Sequence, residues 1–181
     1  MPLSRVIRVA HTADLEKALL GEVWDMLVEV FEGDIEESDW EHALGGIHSL
    51  AYEDSELVGH ASVVQRRLIH DGRALRTGYV EAVATAAPWR RRGVGSAVMA
   101  EVERLVAGGF ELGALSSSRQ AVRFYAARSW QRWTGAVAAL TPQGVVDSPG
   151  EAVFVLPTPH TPAGLDTSAR LVCDWRPGDL W

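Results

Sequence analysis

Apolar and polar residues alternate over Arg5-Val6-Ile7-Arg8-Val9, which predicts a first strand. Leu15, Leu19, Val23, Leu27 and Val30/Phe31 then recur at helical spacing. They predict a helix with one apolar face, Thr12 as its N-cap, Asp14 and Glu16 in its first turn, and Gly33 at its end. Ile47 to Tyr52 and Leu57 to Gln65 predict two strands around an Asp54-Ser55-Glu56 turn, with Gln65-Arg66-Arg67-Leu68-Ile69 continuing the second. Asp71-Gly72 is a two-residue hairpin signal, and the return strand runs from Ala74 to Ala84. Pro88 directs the approach to a glycine-bearing turn, after which Val94, Val98, Val102 and Leu105 predict a long helix. Phe110 to Leu115 reads as a further strand. A helix from about Arg119 to Arg128 follows, capped by one of Ser116, Ser117 or Ser118. Trp130 to Leu140 and Ala152 to Leu156 are two late strands.

The linker between those strands, and everything after Leu156, holds six of the eight prolines, which makes it loop and extended tail rather than a second domain. The expectation is one α+β domain over residues 1–181, with 157–181 as a tail that docks through its tryptophans.

Composition narrows the chemistry. At 181 residues and 47% hydrophobic content the chain can bury a proper core. A net charge of −7 disfavours a nucleic-acid binder. Arg90-Arg91-Arg92 is a local basic patch that fits a small polyanion better than a duplex. Cys173 is the only cysteine, which excludes an intramolecular disulfide and favours a reducing compartment. The start, Met1-Pro2-Leu3-Ser4-Arg5, lacks the apolar core of a signal peptide, and no apolar run is long enough to span a membrane. A cytoplasmic location is expected. The six histidines show no ligand spacing, so no metal site is expected.

Two stretches carry candidate chemistry. The turn Arg90-Arg91-Arg92-Gly93-Val94-Gly95 joins a strand end to a helix start, where unpaired N–H groups and the helix dipole favour an anion. A nucleotide P-loop would need Lys-Ser or Lys-Thr after the glycines, and a dinucleotide fingerprint a third glycine where Val98 stands. What remains is Arg/Gln-x-x-Gly-x-Gly/Ala, filled by Arg90, Gly93 and Gly95; a charged surface loop is the bland alternative. The second stretch is Glu29 to Glu41, with seven acids and no base, Asp34 and Asp39 among them, and Trp40 embedded. A solvated helix end explains most such runs. Acids after a helix C-terminus oppose the macrodipole, however, and an aromatic among carboxylates suits a cationic, ring-shaped ligand.

The loop resembles the coenzyme A loop of the GCN5-related N-acetyltransferase (GNAT) superfamily. The chain as a whole resembles the aminoglycoside 2′-N-acetyltransferases. The residues that carry this likeness are Gly33-Asp34, Asp39-Trp40-Glu41-His42, Leu44-Gly45-Gly46, Gln65 to Ile69, Gly78-Tyr79-Val80-Glu81, Leu112 to Ser118, Val153 to Pro157, Leu165 to Ser168 and Cys173 to Arg176. The resemblance implies a mixed, splayed, mostly antiparallel sheet flanked by helices. It also implies acetylation of an aminoglycoside from acetyl-coenzyme A, and a homodimer.

By resemblance, Glu81 is the base, acting through water, and Tyr125 the acid. Val83, Ala84 and Thr85 would offer backbone to the pantetheine arm, and Arg90, Arg91, Arg92, Gly93, Val94 and Gly95 would hold the pyrophosphate. Ser116 and the stretch Arg123, Phe124 to Arg128 would line the same cofactor. Asp34, Asp179 and the carboxylate of Trp181 would bind substrate ammonium groups beside Asp39, Trp40 and Ala82. Where relatives carry an aspartate-rich loop, this chain has Ser148-Pro149-Gly150-Glu151, which leaves Glu151 as the stand-in.

These roles agree with the residues. A carboxylate on a buried strand among other acids suits a base working near neutral pH. The acids bind and steer a polycation. Glu81 also fits a strand acid paired with Arg66 or Arg67, and Tyr125 a core aromatic. The rival functions are acetylation of another amine (a polyamine, a peptidoglycan amino sugar or a peptide N-terminus) and a non-catalytic module that binds cationic ligands.

Overall fold

A computed structural model describes residues 5–181. Met1-Pro2-Leu3-Ser4, read above as lacking a signal-peptide core, lies outside them. The chain divides into two compact units: the residues through Val64 with Val80–Leu105, and Gln65–Tyr79 with Val106–Trp181.

In the first unit, strand β1 (Arg5–His11) pairs antiparallel with β2 (Ile47–Glu53), and β2 with the first part of β3 (Glu56–His70). Helix α1 (Lys17–Val30) buries Val23, Met26 and Leu27, and these pack with Leu15, Leu50 and Ala84. Thr12 is not its N-cap. Thr12 opens a separate 3-10 turn capped by the His11 ring, and α1 begins behind Glu16 without a side-chain cap. The Thr12 hydroxyl is engaged elsewhere, 2.7 Å from His48 Nε2. The end of α1 is a Schellman turn in which Gly33 N–H donates to Val28 O and Glu32 N–H to Glu29 O. Glu32, at φ 55°, takes the left-handed position just ahead of Gly33.

The acid run is not all loop. Glu37–Ala43 is helix α2, with Glu37 and Asp39 in its first turn, where the dipole favours acids. Glu36 and Asp39 close a capping box there. The macrodipole objection to these acids therefore falls, because a new helix starts where the sequence pattern extended the old one.

Strand β4 (Arg73–Thr85) leads toward helix α3 (Val94–Gly109). Val94 is buried, and a Cβ on Gly59 of β3 would sit 2.5 Å from Val94 Cγ1. Only glycine at 59 lets the start of α3 lie this close to the strand.

In the second unit the strand order is β6-β9-β5-β4-β3-β10-β7-β8. These further strands are β5 (Leu112–Ser116), β6 (Gln131–Arg132), β7 (Val137–Thr141), β8 (Gly144–Asp147), β9 (Val153–Pro157) and β10 (Leu171–Cys173). The β4–β5 and β10–β7 pairs are parallel, whereas β5–β9, β6–β9, β7–β8 and β10–β3 are antiparallel. The Trp130 to Leu140 stretch forms two strands rather than one, because the chain leaves the ladder at Thr134 and Gly135. Both of those N–H groups donate to Thr167 O. The segment after Leu156 is also more than loop, since it contributes β10. Helix α4 (Val122–Ala126) is shorter than the pattern suggested and starts behind Ala121, so none of the three serines caps it. Arg66, offered above as a partner for Glu81, is buried and pairs with Asp174 at 2.8 Å, its guanidinium 4.7 Å from the Tyr79 ring centroid.

Candidate active site

In the first unit the glycine loop runs through two left-handed residues into the start of α3. Arg91 (φ 59°) and Gly93 (φ 83°) are both left-handed just ahead of α3, the kind of backbone from which anion-binding nests are built. Ala97 N–H returns to Gly93 O, which starts the helix and leaves the N–H groups of its first turn facing out. Arg90, Arg91 and Arg92 are exposed. Arg90 reaches the carbonyls of Thr85 and Val30, each at 3.4 Å, and Arg92 lies 5.2 Å from the Trp89 ring centroid. Arg5 was missed by sequence reading. Its guanidinium is held by buried Glu53, its cross-strand partner, and donates to Arg92 O at 2.9 Å. No local signal marks this pair, because it depends on the register of β1 against β2.

Glu81 is half-buried on β4, followed by Ala82, Val83, Ala84 and Thr85 on the same strand. Ala82 is the one residue within β4 with positive φ, at 51°. Its carbonyl accepts from His60 Nδ1 at 2.8 Å, and His60 Nε2 lies 2.8 Å from His48 Nδ1. Trp40 packs on both imidazoles, with centroids 6.1 and 6.0 Å away, and on Trp24 at 6.5 Å. Burial, with His11 nearby, pushes His48 down to about 4. Burial, then the neighbouring His48, pushes His60 down to about 3 against the opposing effect of its bond to Ala82. Sequence reading missed this pair because two histidines on neighbouring strands carry no spacing signal. Asp34 is exposed beyond α1, and Asp39 Oδ2 accepts the Glu36 N–H at 2.9 Å.

In the second unit Tyr125 is buried, its ring 5.2 Å from Phe124, 6.2 Å from Trp130 and 6.1 Å from Phe154. Burial pushes its phenol up to about 12, so the hydroxyl keeps its proton at any physiological pH. Arg123 is exposed, and Arg128 lies 5.7 Å from the Phe124 ring centroid. Ser116 donates to Glu151. At the chain end, Arg176 Nε donates to Asp179 O at 2.7 Å, Cys173 Sγ lies 3.2 Å from Leu180 O, and Trp181 is buried. The Asp179 side chain stays exposed beside the Trp181 N–H. Among the described residues no three His, Cys, Asp or Glu side chains converge as a metal site, and no helix is long and apolar enough to cross a membrane.

Residues 17–129 match the Acetyltransferase (GNAT) family. An aminoglycoside 2′-N-acetyltransferase of Mycolicibacterium fortuitum is 47% identical over 178 residues, which is 96% of this chain and 91% of the relative. Among solved structures, an acyl-CoA N-acyltransferase from Pseudomonas aeruginosa matches with a TM-score of 0.61 at 16% identity, over 84% of this chain and 99% of that one. Escherichia coli ElaA matches with a TM-score of 0.60 at 16% identity, over 84% and 98%. These last two likenesses concern the fold alone.

Proposed function

Because this chain belongs to the aminoglycoside 2′-N-acetyltransferases of the GNAT superfamily, we propose that it moves the acetyl group of acetyl-coenzyme A directly to the 2′-amine of an aminoglycoside. The observation that carries this reading is the 47% identity to an enzyme of that name over 96% of the chain. The geometry of the glycine loop supports the donor half. A left-handed turn of exposed arginines at a helix start fits a pyrophosphate, and no phosphate-binding lysine is needed.

The residues divide the work. Arg90 to Gly95 hold the pyrophosphate, and Val83 to Thr85 offer main chain to the pantetheine arm. Arg123, Phe124 and Arg128 with Ser116 line the rest of the donor. Asp34, Asp39, Trp40, Glu151, Asp179 and Trp181 receive the ammonium groups and rings of the acceptor. Glu81 takes a proton from the 2′-ammonium through water, since only the free amine attacks the thioester. The amine nitrogen adds to the carbonyl carbon and gives up its second proton to solvent, the carbon–sulfur bond breaks, and the Tyr125 phenol protonates the departing thiolate and regains its proton from solvent. A phenol that stays protonated suits this role, because the donor is charged with its proton before each turnover.

Residues 1–181 act as one catalytic domain with residues 157–181 packed as its tail. The protein works as a homodimer where acetyl-coenzyme A is made, in the cytoplasm, and its product is an aminoglycoside with weakened affinity for its target, hence resistance. Thiol release with gentamicin or tobramycin tests the reaction. Turnover with a polyamine or a peptide N-terminus but not with these drugs would move the activity to another amine. Calorimetric binding without turnover would make the protein a sequestering module.

A further inference from the structure

We propose that His60, braced by His48, is a positioning residue that fixes the left-handed turn of β4 at Ala82 and thereby aims the adjoining Glu81. This rests on the reading of Glu81 as the base. A left-handed residue with a Cβ inside a strand is unfavourable and persists only where its surroundings over-determine it. At Ala82 the surroundings include one specific bond, from His60 Nδ1 to the Ala82 carbonyl at 2.8 Å. A rotation of the Ala82 peptide breaks that bond. Ala82 released from that bond can leave the left-handed region, and a change in its φ turns the preceding peptide, to which Glu81 is attached.

The hydrogen-bond directions follow from chemistry. A carbonyl only accepts, so His60 carries its hydrogen on Nδ1. A neutral ring then has a bare Nε2, which accepts from His48 Nδ1–H at 2.8 Å. His48 Nε2 is bare in turn and accepts from the Thr12 hydroxyl at 2.7 Å. The Thr12 hydroxyl also lies 3.2 Å from Gly46 O, but that carbonyl already accepts the Thr12 backbone N–H, and the single hydroxyl hydrogen goes to the nearer, bare ring nitrogen. Three donors thus point one way, toward the turn, and each fixes the tautomer of the next. Both imidazoles have no exposed surface, and Trp40 of α2 lies against each. Two apolar residues would fill this space without desolvating polar groups. A chain of buried donors ending on one strained carbonyl is therefore best explained by what it holds in place.

The test has a spectroscopic arm and a kinetic arm. In the wild-type protein, 15N–1H correlation of the imidazoles should show both His48 and His60 as Nδ1–H tautomers, with the His60 Nδ1 proton slow to exchange. A His60 hydrogen on Nε2 would overturn the proposal. In the kinetic arm, His60→Leu should lower kcat about ten- to a hundredfold, while coenzyme A affinity by calorimetry holds. His60→Asn places an amide N–H where Nδ1 stands and should recover most of that kcat, although it breaks the link to His48. Wild-type kcat in His60→Leu, or equal damage from Leu and Asn, would refute the positioning role. A wild-type protein without turnover on any aminoglycoside would instead overturn the proposed function, and the tautomers would still decide whether the pin exists.

Discussion

Ser116 donates its hydroxyl to Glu151 Oε2 across 2.8 Å, between the last residue of β5 and the loop that precedes β9. The two residues were expected in separate roles, one lining the donor and the other binding the acceptor. A carboxylate that accepts Ser116 on one oxygen can still present the other to an ammonium, in a fixed orientation. Glu151→Gln is therefore expected to raise the aminoglycoside KM roughly tenfold, the cost of one charge-assisted contact. Ser116→Ala should raise it less, because the charge remains and only its aim is lost. Steady-state kinetics at saturating acetyl-coenzyme A measures both.

Glu81 and Tyr125 should differ in how much they matter. Glu81→Gln is expected to cut kcat by about a hundredfold or more with little change in either KM, as for a general base. Tyr125→Phe should cost less, since solvent can protonate a thiolate. With its phenol up at about 12, Tyr125 also contributes no basic limb below pH 10. The pH–rate profiles of wild type and Tyr125→Phe should therefore share a shape on that side.

Asp179 tests the chain end. Its backbone carbonyl is held by Arg176 and its side chain is exposed, so Asp179→Asn removes a charge without disturbing the packing of Trp181. The aminoglycoside KM should rise severalfold, and more at low ionic strength than at high, while kcat changes little. An unchanged KM at both ionic strengths would remove the tail from the acceptor site.

The buried histidines predict how stability depends on pH. Both have folded values lowered from 6.5, to about 4 for His48 and about 3 for His60. As pH falls below 6.5, the unfolded chain takes up protons that the folded chain refuses, so stability drops. The loss from this pair runs from about 6.5 down to each folded value, and above 6.5 the pair contributes no slope. Its limit is ~1.4 kcal/mol per pH unit for each histidine. Urea unfolding at pH 7, 6 and 5 should show the decline, and a His48→Phe/His60→Phe double variant should show a shallower one.

Much of this was legible in the sequence, for reasons that can be named. Period-two and period-3.6 patterns placed β2, β3, β4 and α3, and Asp71-Gly72 marked the hairpin, because each of those signals is local. The turn of Arg90 to Gly95 was legible for the same reason. Helix α2 was not, since its acids read as the polar end of α1 until Glu36 and Asp39 are seen to cap a new start. Thr12 and the Ser116–Ser118 run were misjudged as caps because the residue type suits that role, while tertiary partners (His48 for Thr12, Glu151 for Ser116) took the hydroxyls. The His48–His60 pair and the Arg5–Glu53 brace depend on strand register, which no single stretch of sequence encodes.

The central claim, acetyl transfer to the 2′-amine, is tested most directly by the position of the new acetyl group. Tobramycin, which carries a 2′-amine, and an aminoglycoside with a 2′-hydroxyl but its other amines intact should each be incubated with the protein and acetyl-coenzyme A. Two-dimensional NMR of the products then locates the acetyl group. The account predicts one acetamide on tobramycin, at the 2′ nitrogen, and no product from the 2′-hydroxyl compound. An acetyl group at any other amine of tobramycin, or equal acetylation of both compounds, would contradict it.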